Sequence, residues 1–251
     1  MKNNIYKNYV IHHFDNLDST SAKAFQMADL SEINDREIIA ADSQNKGRGR
    51  LGRDWVSPRG NLYFSLVLRP KCDVNCISQI SFIAAISLKF AIKEAFLAQK
   101  NPKNVDLVKN KWPNDILVDD KKIAGILLES KIIDKNCDFV VVGVGVNLAS
   151  NPQNTMFLAS NLAEFGINLA PREFLERFLD KFEYFYEKWQ NFGFLPIKNL
   201  WLEDAWRLKS EIAINLGERK INGIFDEIDN DGCLILRTSQ GVEKISVGDV
   251  S

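Results

Sequence analysis

The sequence predicts an α+β protein: a body of helices and strands over residues 1–208, followed by a small barrel-like β domain over residues 209–251. Three observations carry this expectation. Residues 80–99 and 172–190 repeat apolar side chains at helical spacing, residues 105–146 are rich in β-branched runs, and beyond Lys209 short strands alternate with turn residues. At 251 residues, 45% of them hydrophobic and 26% charged, the chain can bury a substantial core.

Taken in order, residues 9–14 read as a strand running into Asp18-Ser19-Thr20-Ser21, whose hydroxyls precede a helix-forming stretch at 22–30. That is an N-cap signature, and capping is the local reading of Ser19 and Thr20. Residues 37–41 and 61–68 read as strands. The helix at 80–99 sets Ile80, Ile83, Ala84, Ser87, Phe90 and Ala91 on one stripe, with Lys89 and Lys93 opposite. Between 105 and 146 short strands are expected, with Asp119-Asp120-Lys121 as a hairpin turn and Phe139-Val140-Val141-Val142 as a buried strand. In the helix at 172–190, Phe174, Phe178, Phe182, Phe185 and Trp189 form a packing stripe, and 199–206 adds a further helical piece. The tail holds strands at 212–216, 220–228, 233–238 and 242–246, separated by Gly217-Glu218, Asn230-Asp231-Gly232 and Gln240-Gly241 turns.

Charge and composition exclude several functions. With 32 Lys+Arg against 33 Asp+Glu there is no basic stripe for generic nucleic-acid binding. No signal pattern opens the chain and no apolar run is long enough to cross a bilayer, so a cytoplasmic location and no membrane partner are expected. Four cysteines with one C-x3-C pair, and only His12 and His13 as imidazoles, predict reduced thiols and no protein-held metal.

Three runs carry chemistry. Gly47-Arg48-Gly49-Arg50-Leu51-Gly52-Arg53-Asp54-Trp55 places three arginines in six positions between glycines, which suits a flexible cationic loop over a small anionic ligand. The run satisfies G-x-G-x-x-G, but a turn follows where a dinucleotide fold needs a helix, and no Gly-Lys-Ser/Thr makes it a P-loop. Lys111-Trp112-Pro113-Asn114-Asp115 joins a cation, a turn, an amide and a carboxylate. Lys122-Ile123-Ala124-Gly125-Ile126-Leu127 follows across the hairpin, and Asp115 could hold magnesium or orient an incoming amine. Gly143-Val144-Gly145-Val146-Asn147 suits backbone contact with a purine, although strand glycines also mark bulges.

Together these runs resemble the biotin protein ligase family, whose hallmarks GRGRxGRxW, KWPND and KxAGIL all occur here in family order. The resemblance spans nearly the whole chain and takes in Asp18-Ser19-Thr20, Gln44 and the closing Gly248-Asp249-Val250-Ser251. It implies a mixed sheet flanked by helices, the class II synthetase-like fold of biotin and lipoate ligases, with a C-terminal SH3-like β-barrel. It also implies two steps: biotin and ATP, with Mg2+ on the nucleotide, give biotinyl-5'-AMP and pyrophosphate. A lysine of the biotin carboxyl carrier protein of acetyl-CoA carboxylase, or of a similar biotin-dependent enzyme, then attacks the mixed anhydride.

By that similarity Ser19, Thr20, Gln44, Gly47, Arg48 and Gly49 hold biotin, with Arg50 and Lys122 at its carboxylate end. Arg53, Trp55, Lys111, Asn114 and Asn147 serve ATP and the adenylate. Arg50, Lys122 and Asp115 are the catalytic candidates, the first two screening charge at the α-phosphate and Asp115 acting on the acceptor lysine. Residues 47–55 are expected to be mobile without ligand and to order over the adenylate.

Departures from the pattern matter. The motifs begin within the first twenty positions, so the winged helix-turn-helix of repressor relatives is not expected, nor is DNA binding. Ser21 stands where the family usually has Asn, and homodimerisation through sheet edges is left open. Lipoate protein ligase is the nearest rival, but its glycine-triplet loop ending in His-Asp is absent; a non-catalytic biotin or nucleotide sensor would need neither Lys122 nor Asp115.

Overall fold

A computed structural model describes residues 2–99, 102–153, 158–217 and 219–250. Glu218 of the expected Gly217-Glu218 turn and the terminal Ser251 lie outside the described residues. The strands are β1 (Lys2–Tyr6), β2 (Tyr9–Phe14), β3 (Glu37–Ala41), β4 (Leu62–Leu68), β5 (Val108–Lys111), β6 (Asp115–Val118), β7 (Lys121–Ile133) and β8 (Asn136–Val146). They form one mixed sheet in the order β1-β2-β3-β4-β8-β7-β6-β5, in which only β2 and β3 run parallel. The helices are α1 (Thr20–Asp29), α2 (Ile77–Ala98), α3 (Pro171–Phe192) and α4 (Leu195–Glu203).

Strand alternation divides the core. Val140, Val142, Val144 and Val146 of β8 face α2 and α3 with the main cluster, which includes Ile83, Ile86, Phe178 and Phe182. Phe139 and Val141 point to the other face and pack with Ala24 and Ala28 of α1. Because α1 is only ten residues long, it covers one end of that face, with Ser21 of its first turn over Gly143, and leaves the Gly145 end uncovered by helix. The site occupies that opening.

Several expectations need correction. The strands β7 and β8 are long, at 13 and 11 residues, because two-residue turns with left-handed Asp119/Asp120 and Asp134/Lys135 let the ladders run on from one strand to the next, each with one register shift, at Ile116/Leu117 and at Lys131/Ile132. β1 was not anticipated and pairs as an edge hairpin with β2. α4 begins at Leu195 rather than 199, since Pro196 sits in its first turn, where a missing N–H costs nothing. Lys89 does not face water: it is fully buried, donating to the Leu200 carbonyl at 2.6 Å and standing 3.1 Å from Asp204. Lys93 at 2.7 Å and Lys109 at 3.4 Å complete the cluster around Asp204 at the end of α4.

The C-terminal strands β9 (Glu211–Asn215), β10 (Lys220–Ile228), β11 (Leu234–Thr238), β12 (Gly241–Ile245) and β13 (Asp249–Val250) form a second, antiparallel sheet in the order β12-β11-β10-β9-β13. Among the described residues its ladder does not close into a barrel. It docks on the body through the indole N–H of Trp112, which donates to the Gly232 carbonyl at 3.0 Å, and through Gln79, which donates to the Asn230 carbonyl at 3.0 Å. Gly232 lies against Phe82 so closely that an added Cβ would come within 2.5 Å of its ring. Among the described residues no helix is long and apolar enough to cross a membrane, and all four cysteines are free.

Candidate active site

The arginine run is a small hairpin rather than an irregular loop. Trp55 N donates to Gly47 O at 2.9 Å and Gly49 N to Arg53 O at 2.7 Å, while Leu51 and Gly52 take left-handed φ values of 55° and 73° at the tip. Its inner side closes a cavity of about 400 Å³, whose floor is β7 and β8. Arg48, Gly49, Arg50, Arg53 and Trp55 of the first run line this cavity, with Asn114 and Asp115 of the second, Lys122 of the third, and Asn147. Runs up to a hundred residues apart thus share one space.

One end of the cavity is a polar relay. Ser65 Oγ donates to Thr20 Oγ1 at 2.9 Å, and Thr20 donates from both N (2.8 Å) and Oγ1 (3.1 Å) to Gln44 Oε1. Gln44 Nε2 donates to Ser57 Oγ at 2.9 Å, which donates in turn to the Trp55 carbonyl at 2.8 Å. The relay therefore ties the start of α1 to the base of the hairpin. It also explains Gly47, where a Cβ would lie 2.3 Å from that carbonyl and 2.5 Å from Ser57 Oγ. Ser21 adds a second hydroxyl, 3.2 Å from Ser65, over Gly143.

At the other end Gly125 and Gly145, paired across β7 and β8, make a bare backbone platform for the Trp55 ring. A Cβ on Gly145 would come within 2.5 Å of the indole, and one on Gly125 within 2.9 Å. The Lys122 ammonium stands 5.2 Å from the ring centroid and 2.7 Å from Asp115 Oδ1, an ion pair without hydrogen-bond geometry. Among the described residues, two buried polar atoms of residues that line the cavity have neither a hydrogen bond nor an ion pair: Trp55 Nε1, a donor, and Asn147 Oδ1, an acceptor. Buried polar groups are normally paired, so these two suit a ligand with its own donor and acceptor.

The three arginines differ in their partners. Arg48 meets Glu129 at 2.6 Å, and Arg53 makes a two-pronged pair with Asp249 of β13. Arg50 donates to the neutral Asn114 amide oxygen at 3.1 Å and has no carboxylate within 4.0 Å among the described residues. Burial pushes its guanidinium down from the usual value, against the opposing pull of Asp249 and Asp115.

Not every expected residue reaches the cavity. Ser19 caps α1, accepting from Ala22 N at 3.3 Å, and Gly47 lies at the hairpin base on the far side. Lys111 is buried, its ammonium 5.0 Å from the Trp206 ring centroid, and burial pushes it down from the usual lysine value. Ser57 and Ser65 were given no role from the sequence, and Asp249 entered only within the closing Gly248-Asp249-Val250-Ser251 run. Their partners Gln44, Thr20 and Arg53 lie 13, 45 and 196 positions away, and isolated serines and a tail aspartate carry no local signal of such pairing.

Residues 14–147 match the biotin/lipoate A/B protein ligase family, and residues 210–251 match the biotin protein ligase C terminal domain. The chain belongs to the biotin/lipoate A/B protein ligase family. Within that family it is 37% identical to the biotin–[acetyl-CoA-carboxylase] ligase of Paracoccus denitrificans, over 93% of this chain and 96% of that one. Identity to the bifunctional ligase/repressor BirA of Bacillus subtilis is 32%, over 100% of this chain and 76% of the relative. Among solved structures of the family, the biotin protein ligase from Aquifex aeolicus in complex with biotin and ATP superposes with a TM-score of 0.78 at 28% identity, covering 96% of this chain and 97% of that one.

Proposed function

We infer that the protein is an ATP-dependent biotin protein ligase. One observation carries the reading most directly: the GRGRxGRxW, KWPND and KxAGIL runs line one cavity, with the Arg50 guanidinium, bonded only to a neutral amide among the described residues, and the Lys122 ammonium on its walls. In the first step a carboxylate oxygen of biotin attacks the α-phosphorus of ATP, a P–O bond forms, and pyrophosphate leaves with the electrons of the broken P–O bond. Two anions must approach, so fixed cations placed where charge grows lower the barrier. Arg50 and Lys122 are assigned that role, and magnesium enters on the triphosphate as part of the substrate.

Thr20, Ser21, Gln44 and Ser65 supply the mixed donors and acceptors that a ureido ring needs. Trp55, Asn147 and Asn114 are assigned to the nucleotide, where the Asn147 oxygen would accept from an adenine amino group. In the second step the acceptor lysine amine attacks the carbonyl carbon of biotinyl-5'-AMP and AMP departs. Asp115, at the cavity wall, orients that amine. The acceptor we propose is the biotin carboxyl carrier protein of acetyl-CoA carboxylase, following the Paracoccus relative's name. Residues 1–208 would serve as the catalytic domain and 209–251 as a supporting C-terminal domain.

The test is pyrophosphate exchange into ATP, run with biotin, with lipoate and with neither. Exchange is expected with biotin alone, falling by about two to three orders of magnitude in Lys122→Ala and Arg50→Ala. Exchange with lipoate alone would move the assignment to the rival activity, and none with either acid would favour a sensor.

A further inference from the structure

We infer that Asp249 is a positioning residue for the arginine hairpin: it holds Arg53, and through Arg53 it fixes where Arg50 is presented. For the nucleotide this rests on the ligase reading above; for the hairpin it does not. Both terminal guanidinium nitrogens of Arg53 meet the Asp249 carboxylate, Nη1 at 3.2 Å from Oδ1 and Nη2 against Oδ2. A two-pronged pair sets the plane of the guanidinium as well as its place.

Arg53 is also the residue that closes the hairpin. Its N–H donates to the Arg50 carbonyl at 3.2 Å, and its own carbonyl accepts from Gly49 at 2.7 Å, so a fixed Arg53 fixes the tip that carries Arg50. The other arm is held by Arg48 on Glu129 at 2.6 Å. Two arginines thus clamp the two arms to carboxylates on different sheets, and the middle one keeps a neutral partner.

The Asp249 side is firmly placed. β13 pairs with β9, and Gly248 before it packs so tightly that a Cβ would fall 2.7 Å from Ile214. Three arginines on a glycine backbone would otherwise repel one another and spread the tip. Exposed ion pairs add little to global stability, so the pair's contribution is orientation.

Limited trypsin digestion of the ligand-free full chain, with cleavage after Arg48 and Arg50 followed by mass spectrometry, reads the hairpin directly. Asp249→Asn should be cut there several-fold faster, with an unchanged melting temperature. In pyrophosphate exchange its KM for ATP should rise several-fold while kcat changes much less. The charge exchange Arg53→Asp with Asp249→Arg should restore slow cleavage after Arg48 and Arg50; if it does not fold, Arg53→Gln must reproduce the faster cleavage of Asp249→Asn. Wild-type cleavage in Asp249→Asn, faster cleavage with an unaltered KM in that variant, or a folded exchange variant that is still cut fast would overturn the assignment. Should the wild type show no exchange at all, the ligase reading fails and the digestion alone decides the clamp.

Discussion

At the scale of single residues the site is shaped as much by missing side chains as by present ones. Gly145→Ala should displace the Trp55 ring, because the new methyl would stand 2.5 Å from Cε2 and Nε1 of the indole. The expected result is an ATP KM raised about tenfold or more, with a melting temperature within a few degrees of wild type, measured by exchange kinetics and thermal denaturation. A normal KM would mean that the ring has room to slide. The contiguous motifs made Arg50, Asn114, Asp115 and Lys122 readable from the sequence, since each run carries its own spacing. Asp249 was not readable as Arg53's partner: the two lie 196 positions apart, and nothing local marks a tail aspartate as a ligand-site neighbour.

Among the elements, α2 departs furthest from its pattern. Its amphipathic stripe placed Lys89 on the polar side, yet that side meets α4, and the lysine stem runs through the core to the Leu200 carbonyl. Periodicity reports which face is apolar; it cannot report that a second helix covers the polar one. Lys89→Met keeps the stem and removes the ammonium, leaving Asp204 with Lys93 and Lys109 but Leu200 without its donor. A loss of about 1–3 kcal/mol is expected in urea unfolding, the cost of one unsatisfied buried acceptor. Unaltered stability would show that water reaches that carbonyl. Strands β2 and β3 were legible to the residue, whereas the length of β7 was not, because its charged outward positions resemble loop.

For the whole molecule, acid response follows from two carboxyls that hold separate layers together. Burial works to raise Glu183 of α3, but hydrogen bonds from Arg36 and Tyr9 prevail and hold it below the usual glutamate value. Burial likewise works to raise Asp204, and Lys93 and Lys89 hold it below the usual aspartate value. Groups depressed in the folded state lend stability that is complete above their unfolded pKa, about 4, and is lost as pH falls through the lower folded values. Melting temperature should therefore be insensitive to these two groups near neutrality and drop below about pH 4. Glu183→Gln should flatten that acid limb, and a variant with the wild-type slope would remove Glu183 from the account.

The bare platform of Gly125 and Gly145 has a bearing on resistance to foreign compounds. Any planar molecule that took the place of the indole on the sheet would rest on peptide groups, and Gly125 and Gly145 would offer it no side chain to be exchanged. The substitutions able to crowd it out put a methyl where the indole also rests. At these two positions, a change that expels an intruder also unseats the enzyme's own tryptophan.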